Sequence, residues 1–255
     1  MYKEKARQAR LKVLEMIFEA QTSHIASNLS CVDILTVLFD KIDLDKDKFI
    51  LSAGWKAATL YYFLFTKGKI TEKELFSYCK SGSKFIGLAE PIIPEIPFSG
   101  GSMQMGMPAS IGFALALKLE KKEGTIHCLI SDGELQGGMI WESALLANQY
   151  KLNNLIVWID YNELQAMGRT SDILTVEPLR DKWLAFGWNV FEIDGHNFEA
   201  IEHVIGAGHL ASPTIVIAHT IKGKGVSFME NQNIYHYKAP SKEEYKLAME
   251  ELCLK

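Results

Sequence analysis

The chain has 255 residues, and 27 lysines and arginines against 31 aspartates and glutamates leave a formal charge of −4. That length can bury a substantial core, and 48% hydrophobic with 23% charged residues excludes a disordered, collagenous or disulfide-scaffold chain. The mild acidity argues against nucleic-acid binding as the main activity, because no cationic excess exists to neutralise phosphates. Cys31, Cys79, Cys128 and Cys253 are scattered, with no CxxC and no Cys-His cluster at zinc spacing, and read as idle thiols of a reducing compartment. The first residues are charged and lack an apolar signal core, and no run of about eighteen apolar residues occurs. The expectation is a cytoplasmic protein without membrane contact.

Ala6 to Glu19 carries Ala6, Ala9, Val13, Met16 and Ile17 at helical spacing, which predicts a core-facing helix. Asp33 to Phe39 predicts a second helix, with the polar stretch Asn28 to Ser30 as its start, and Lys56 to Phe65 a third, stopped near Lys67 and Gly68. Ser81 to Pro108 is too rich in Gly and Pro for a regular element, and its apolar content marks a functional loop rather than disorder. Beyond it come a helix (Ala109 to Leu119), a buried strand (Thr125 to Ile130), a tight turn over SDGELQGG, a helix (Met139 to Tyr150) and a buried strand (Leu155 to Asp160). A short helix (Lys182 to Phe186, ended by Gly187), a strand (Trp188 to Ile193), a helix (Phe198 to Gly206) and a strand (Thr214 to His219) follow. SKEEYKLAMEELCLK reads as a solvated amphipathic helix whose lysines are balanced by Glu243 and Glu244. Strands alternating with helices predict an α/β fold, a doubly wound parallel sheet with helices on both faces, in one domain over residues 1–255 with a helical N-terminal region.

Asp132 follows one buried strand and Asn162 follows the next, with a single helix between. A right-handed crossover brings both to the carboxyl ends of neighbouring parallel strands, the edge where open α/β sheets bind ligands. A carboxylate and an amide oxygen suit a hard cation such as Mg²⁺ or Ca²⁺, with phosphate oxygens and water in the remaining positions. Gly133 lets backbone approach a diphosphate closely, and a nearby helix start favours anions. Spacing alone equally permits a plain Asp-Gly turn with Asn162 as a cap.

The run from Ser131-Asp132-Gly133 to Asn162 resembles the thiamin-diphosphate signature, in which Gly-Asp-Gly is followed some thirty residues on by Asn. In detail the chain resembles the transketolase family, most of all the N-terminal subunit of split transketolases. The resemblance is carried by LSCVDILTVLFDKI after His24, DKFILSAG before Trp55, GLAEP, GGSMQMG, GELQGGMIWESALLANQYKL, DYNELQ, EPLRDKWLAFGWNVFEIDGH, HTIKGKGVSFMEN and YHYKAP. It implies a diphosphate-binding domain in which Asp132, the Asn162 side chain and the Leu164 carbonyl hold the metal. By the same resemblance Gly133, Glu134 and Lys222 belong to the diphosphate side of the cofactor site, and Gly101, Ser102 and Met103 line its thiazolium side. His24 and His236 match histidines that border cofactor and donor sugar. His24 also stands in an apolar helical neighbourhood, where an ionisable group needs a reason.

The chain departs from the family at several of these blocks. Ser131 replaces a glycine, Gly54-Trp55-Lys56 stands where the family has Gly-His-Ala, and Gly87-Leu88-Ala89-Glu90 where it has Gly-His-Pro-Glu. The GSLGQG block is altered to Gly101-Ser102-Met103-Gln104-Met105-Gly106. Gly137 replaces a glutamate of the acidic network that joins paired active sites, whereas Glu142 matches its second member. Losing two hydrogen-bonding groups costs a substrate that needs them about 1 to 3 kcal/mol each, so the donor or acceptor is expected to differ from the usual pentose phosphates, pyruvate being one compatible donor. The resemblance further implies a separate C-terminal, pyrimidine-binding subunit carrying the activating glutamate, in an α2β2 assembly for which the loop from Ser99 to Pro108 is a candidate interface. The expected activity is transfer of a two-carbon ketol or acyl unit to an aldehyde or ketone. Two other readings are the alpha subunit of a 2-oxo acid dehydrogenase and a non-catalytic thiamin-diphosphate-binding protein.

Overall fold

Four apolar runs in the sequence, and a fifth that is easily missed, pair into a single parallel sheet. The computed structural model describes residues 1–254. Its strands are β1 (Lys48–Leu51), β2 (Ile126–Ser131), β3 (Leu155–Tyr161), β4 (Asn189–Asp194) and β5 (Thr214–His219), in the order β1-β2-β3-β5-β4. All four pairings are parallel. Every residue of β2 and β3 is buried, which is why their sequences are near-continuous apolar runs rather than alternating ones, whereas the edge strand β4 is partly exposed.

The helices are α1 (Tyr2–Ala20), α2 (Ile25–Ser30), α3 (Val32–Lys41), α4 (Ala57–Thr66), α5 (Glu72–Leu75), α6 (Gly106–Glu120), α7 (Gly138–Gln149), α8 (Thr170–Ile173), α9 (Leu179–Ala185), α10 (Phe198–Gly206) and α11 (Lys242–Leu254). Alternate strand residues feed two cores. Leu129, Ile156, Trp158 and Val216 pack with α1, α3, α4 and α10 on one face, and Cys128, Ile130, Val157 and Ile217 pack with α6, α7 and α9 on the other. The doubly wound parallel arrangement is the one the alternating pattern predicts. Among the described residues no helix is long and apolar enough to cross a membrane.

The differences from expectation are local. β1 lies inside a stretch read as helical, and Asn28 to Ser30, expected to start the second helix, instead end the separate helix α2. α6 begins at Gly106 rather than Ala109, with Pro108 tolerated in its first turn where no intrahelical N–H is needed. A side chain at Gly106 would place its Cβ 2.5 Å from the Ser52 Cα, so only glycine lets this helix start against the end of β1. Residues 81–105 contain no helix or strand, as expected of their composition.

β2 and β3 are in register with Ser131 opposite Asp160. Asp132 and Asn162 therefore leave the sheet one residue apart in register, at its carboxyl edge.

Candidate active site

Beyond β2 the chain tightens into a 3-10 turn (Gly133–Gln136), and beyond β3 it opens into a loop carrying Asn162 and Leu164. A cavity of about 270 Å³ lies over this edge, and Asp132, Gly133, Asn162 and Leu164 form its floor with Ser131 and Gln165. His24, Ser27, Trp55 and Lys56 come from the α2 and α4 side, Met103 from the long loop, and His236 and Tyr237 from the C-terminal part. Seven of the expected site residues thus meet around one space: His24, Met103, Asp132, Gly133, Asn162, Leu164 and His236.

Asp132 is almost wholly buried, and only one of its oxygens is used: Oδ1 accepts the Gly133 backbone N–H at 2.8 Å, while Oδ2 has no partner. Burial, reinforced by the Asp160 charge, pushes its carboxyl up to about 7. A buried carboxylate oxygen with nothing bonded to it is an unmet demand for a cation or donor. The Asn162 Oδ1 accepts from the Leu164 N–H at 3.2 Å, and the Leu164 carbonyl accepts from the Lys222 ammonium at 2.9 Å. No cluster of three or more His, Cys, Asp or Glu side chains able to hold a metal exists among the described residues. The donor set is instead a carboxylate, an amide and a carbonyl, the oxygen chemistry a Mg²⁺ ion shared with phosphate takes. A Cβ at Gly133 would meet only the flexible end of Gln165, so the fold does not demand its bare backbone. These residues fit a divalent cation with a diphosphate.

Lys222 does not line the cavity but backs it. Its Nζ also donates to His236 Nδ1 at 3.1 Å and lies 3.5 Å from the Gln165 carbonyl. The turn that carries it depends on Gly223, at φ 83°, where a Cβ would sit 2.4 Å from the Met229 carbonyl oxygen. Burial, then the charge of Lys56, lowers Lys222 to about 8. With Nδ1 accepting from an ammonium, the His236 proton belongs on Nε2.

The two histidines are neighbours. The His24 N–H donates to the His236 carbonyl at 2.9 Å, the ring centroids are 4.9 Å apart, and the Ser23 hydroxyl is 2.7 Å from His24 Nδ1. His24 holds a left-handed backbone (φ 71°) as the residue before α2, an unfavourable geometry for a residue other than glycine and one that occurs at sites where surroundings enforce it. Burial, then Lys222 and Lys56, lowers His24 to about 4, and burial, Lys222, His24 and Lys56 lower His236 to about 3. Both rings are neutral near pH 7.

Beneath the floor lies an ion pair that no sequence motif announces. The Lys56 ammonium, 1% exposed, donates to Asp160, 0% exposed, and also to the Ser27 carbonyl at 3.0 Å and the Ser30 hydroxyl at 3.3 Å. Asp160 takes further hydrogen bonds from the Ser30 and Thr220 hydroxyls. Burial opposes its charge, but Lys56 and these donors hold it below the usual carboxylate range. The available signal is an acid closing the otherwise apolar run LIVWID.

The remaining expected residues sit elsewhere. Gly101 and Ser102 are exposed and outside the cavity, and Met103 alone represents their loop in its wall. Glu134, expected at the cofactor, is fully buried with its carboxylate turned to Ser52, Ser131 and Gln104 and away from the cavity, because four donors converge on it there. Of the two replaced histidines, Trp55 lines the cavity, but Leu88 does not; it lies beside Gly101.

A parallel sheet with a carboxylate, an amide and two histidines around a cavity at its carboxyl edge makes this an α/β protein whose candidate ligand site lies at the strand ends. The family described as "Transketolase, thiamine diphosphate binding domain" matches residues 1–255, and the chain belongs to it. It is 34% identical over 254 residues to one of the subunits of the apulose-4-phosphate transketolase of Phocaeicola vulgatus, covering 95% of this chain and 90% of that one. It is also 34% identical over 255 residues to the 6-deoxy-6-sulfo-D-fructose transketolase subunit SqwG of Clostridium sp., covering 95% and 93%. The transketolase of Campylobacter jejuni superposes with a TM-score of 0.94 at 28% identity, over 99% of this chain and 42% of that one. The chain thus spans nearly the whole of the subunit-type relatives and under half of the solved transketolase.

Proposed function

We propose that this chain is the diphosphate-binding subunit of a split transketolase-type transferase, one domain over residues 1–255, acting in the cytoplasm with a separate C-terminal subunit. The observation that carries the reading is the unpartnered, buried Asp132 Oδ2 beside Asn162 and Leu164, in the same cavity as His24 and His236. Asp132, Asn162 and the Leu164 carbonyl would hold Mg²⁺, and Lys222 would supply a cation to the diphosphate side. Thiamin diphosphate, when bound, supplies stabilisation of the carbanion left by cleavage next to a carbonyl. Neutral His236, its Nδ1 lone pair taken by Lys222, presents an Nε2–H, and neutral His24, its Nδ1 engaged by Ser23, presents its Nε2, so the two would hold a proton at substrate oxygen. Trp55 and Met103 make one wall apolar and narrow the room for water and for hydroxyl-rich donors.

The near relatives named for apulose-4-phosphate and for a sulfo-fructose support a sugar derivative outside the common pentose phosphates as substrate. Loss of a histidine at Trp55 agrees with that and keeps pyruvate as an alternative donor. Relatives named as subunits support a partner chain, which we place in an α2β2 assembly and which would carry the activating glutamate. The test is to isolate the chain with its partner in thiamin diphosphate and Mg²⁺, and to assay transfer from pyruvate, hydroxypyruvate and phosphorylated ketoses. Metal-dependent cofactor binding with transfer from one donor supports the proposal. Cofactor binding by a complex that transfers from none would favour a non-catalytic role, and absence of cofactor binding would overturn the reading.

A further inference from the structure

Glu134 follows the metal-side carboxylate by two residues, yet its own carboxylate joins three segments remote in sequence. Oε1 accepts from the Ser52 hydroxyl at 2.5 Å and from the Gln104 backbone N–H at 2.8 Å. Oε2 accepts from the Ser131 N–H at 2.8 Å and the Ser131 hydroxyl at 3.2 Å. Four donors, two of them backbone N–H groups, converge on its two oxygens. The Ser52 hydroxyl in turn accepts the Gly106 N–H at 3.2 Å, which fixes the far end of the same loop.

Gln104 is the point at which this loop is gripped. Its backbone is left-handed (φ 73°), a conformation that a glutamine keeps only where its surroundings impose it. Its side-chain amide lies over Gly137: a Cβ there would be 1.7 Å from Gln104 Nε2, so the amide occupies the space a side chain would fill. Met103, the preceding residue, is 47% exposed and forms the loop's only contact with the cavity.

We infer that Glu134 is a positioning residue for the cofactor site: it fixes the Met103 wall, with the Gln104 amide seated on bare Gly137 as its second anchor. Glu134 touches nothing in the cavity and acts through the backbone of Gln104. The consequence for binding rests on reading this cavity as the thiamin diphosphate site; the grip on the loop does not. Glu134→Gln turns one acceptor side into an NH₂ that must face a donor pair. Gly137→Ala, at an ordinary backbone geometry (φ −101°, ψ 145°), expels the Gln104 amide and leaves every Glu134 bond available.

The experiment uses the full chain in complex with its partner subunit, with Mg²⁺ and two probes, thiamin diphosphate and inorganic pyrophosphate, read by titration calorimetry beside hydrogen exchange of the peptide over residues 99–106. Both variants should exchange faster in that peptide, with β3 unchanged. Supporting groups around a site typically change affinity by about 10- to 100-fold, so Gly137→Ala should weaken thiamin diphosphate by at least about tenfold and pyrophosphate by less than about twofold. Unchanged exchange in both variants, or equal weakening of both probes by Gly137→Ala, would overturn the inference. A wild-type complex that binds neither probe would refute the cofactor reading instead, and exchange alone would then decide the loop's anchorage. Should Glu134→Gln not fold, Gly137→Ala carries the test unaided.

Discussion

Replacing Lys56 by methionine removes the cation beneath the cavity floor and nothing of its apolar stem. Asp160, fully buried, then keeps only the Ser30 and Thr220 hydroxyls as donors. Breaking a buried pair by taking one partner costs about 3 to 5 kcal/mol, because the remaining charge is uncompensated. Two retained hydroxyl donors place this case at the lower end, about 3 kcal/mol. For a domain of this size that is a drop of about 6 to 12 °C in melting temperature. Adding Asp160→Asn removes the stranded charge, so Lys56→Met/Asp160→Asn should recover about half or more of the loss. Urea unfolding of the three variants against wild type, fitted with a common slope, measures both quantities. A loss below about 1 kcal/mol for Lys56→Met, or a double variant no more stable than the single one, would refute the view that the pair is a coupled buried unit.

Other perturbations follow from the same geometry. Asp132→Ala removes an oxygen that has no partner within the chain, so thermal unfolding without ligand should shift by no more than about 3 °C while Mg²⁺-dependent thiamin diphosphate binding, followed by calorimetry, is lost. Trp55→His restores a polar wall group and should shift the ratio of hydroxypyruvate to pyruvate turnover in the assembled enzyme about tenfold toward hydroxypyruvate; an unchanged ratio would remove Trp55 from specificity. Burial works against the Asp33 charge, but His196 at 2.7 Å and the two Arg10 bonds at 2.6 and 2.9 Å outweigh it and lower its pKa. A depressed carboxylate stabilises the fold above its unfolded pKa, about 3.9 for Asp, and that contribution is lost as pH falls through the lower, folded value. The stability gap between wild type and Asp33→Asn should therefore be full near pH 6 and close below about pH 4, as seen in melting curves across that range.

What the sequence made legible was the part written in runs. β2 and β3 are six and seven buried residues long, so their apolar stretches stand out, and with them the positions of Asp132 and Asn162. β1 is four residues, KFIL, between charged residues and a serine, too short to show a period. α2 escapes notice because Ser27, Asn28 and Ser30 are polar yet buried: the Asn28 amide donates to the His24 carbonyl, the Ser30 hydroxyl reaches the Ser27 carbonyl and Asp160, and the Ser27 carbonyl accepts from Lys56. Trp55 and Leu88 look equivalent as departures from the family, and only the fold separates a residue that faces the cavity from one that does not. The tie between Lys56 and Asp160 spans 104 positions, and no local pattern announces a partner that far away. Glu134 is expected at the cofactor along with its neighbours Asp132 and Gly133, whereas four converging donors turn it away from the cavity that those two line.

The backbone bond from His24 to His236 has a consequence for how the cavity comes into being. The floor is made of β2, β3 and the turns after them, in the middle of the chain, but one wall pairs a residue near the start with one near the end. During synthesis the N-terminal part emerges first, and the loop before α2 must wait until the turn Asn233–His236 has left the ribosome before its histidine is fastened. A nascent chain can thus complete its central strands while still unable to enclose a ligand. A ligand that needs both histidines would bind only after the turn that carries His236 is in place.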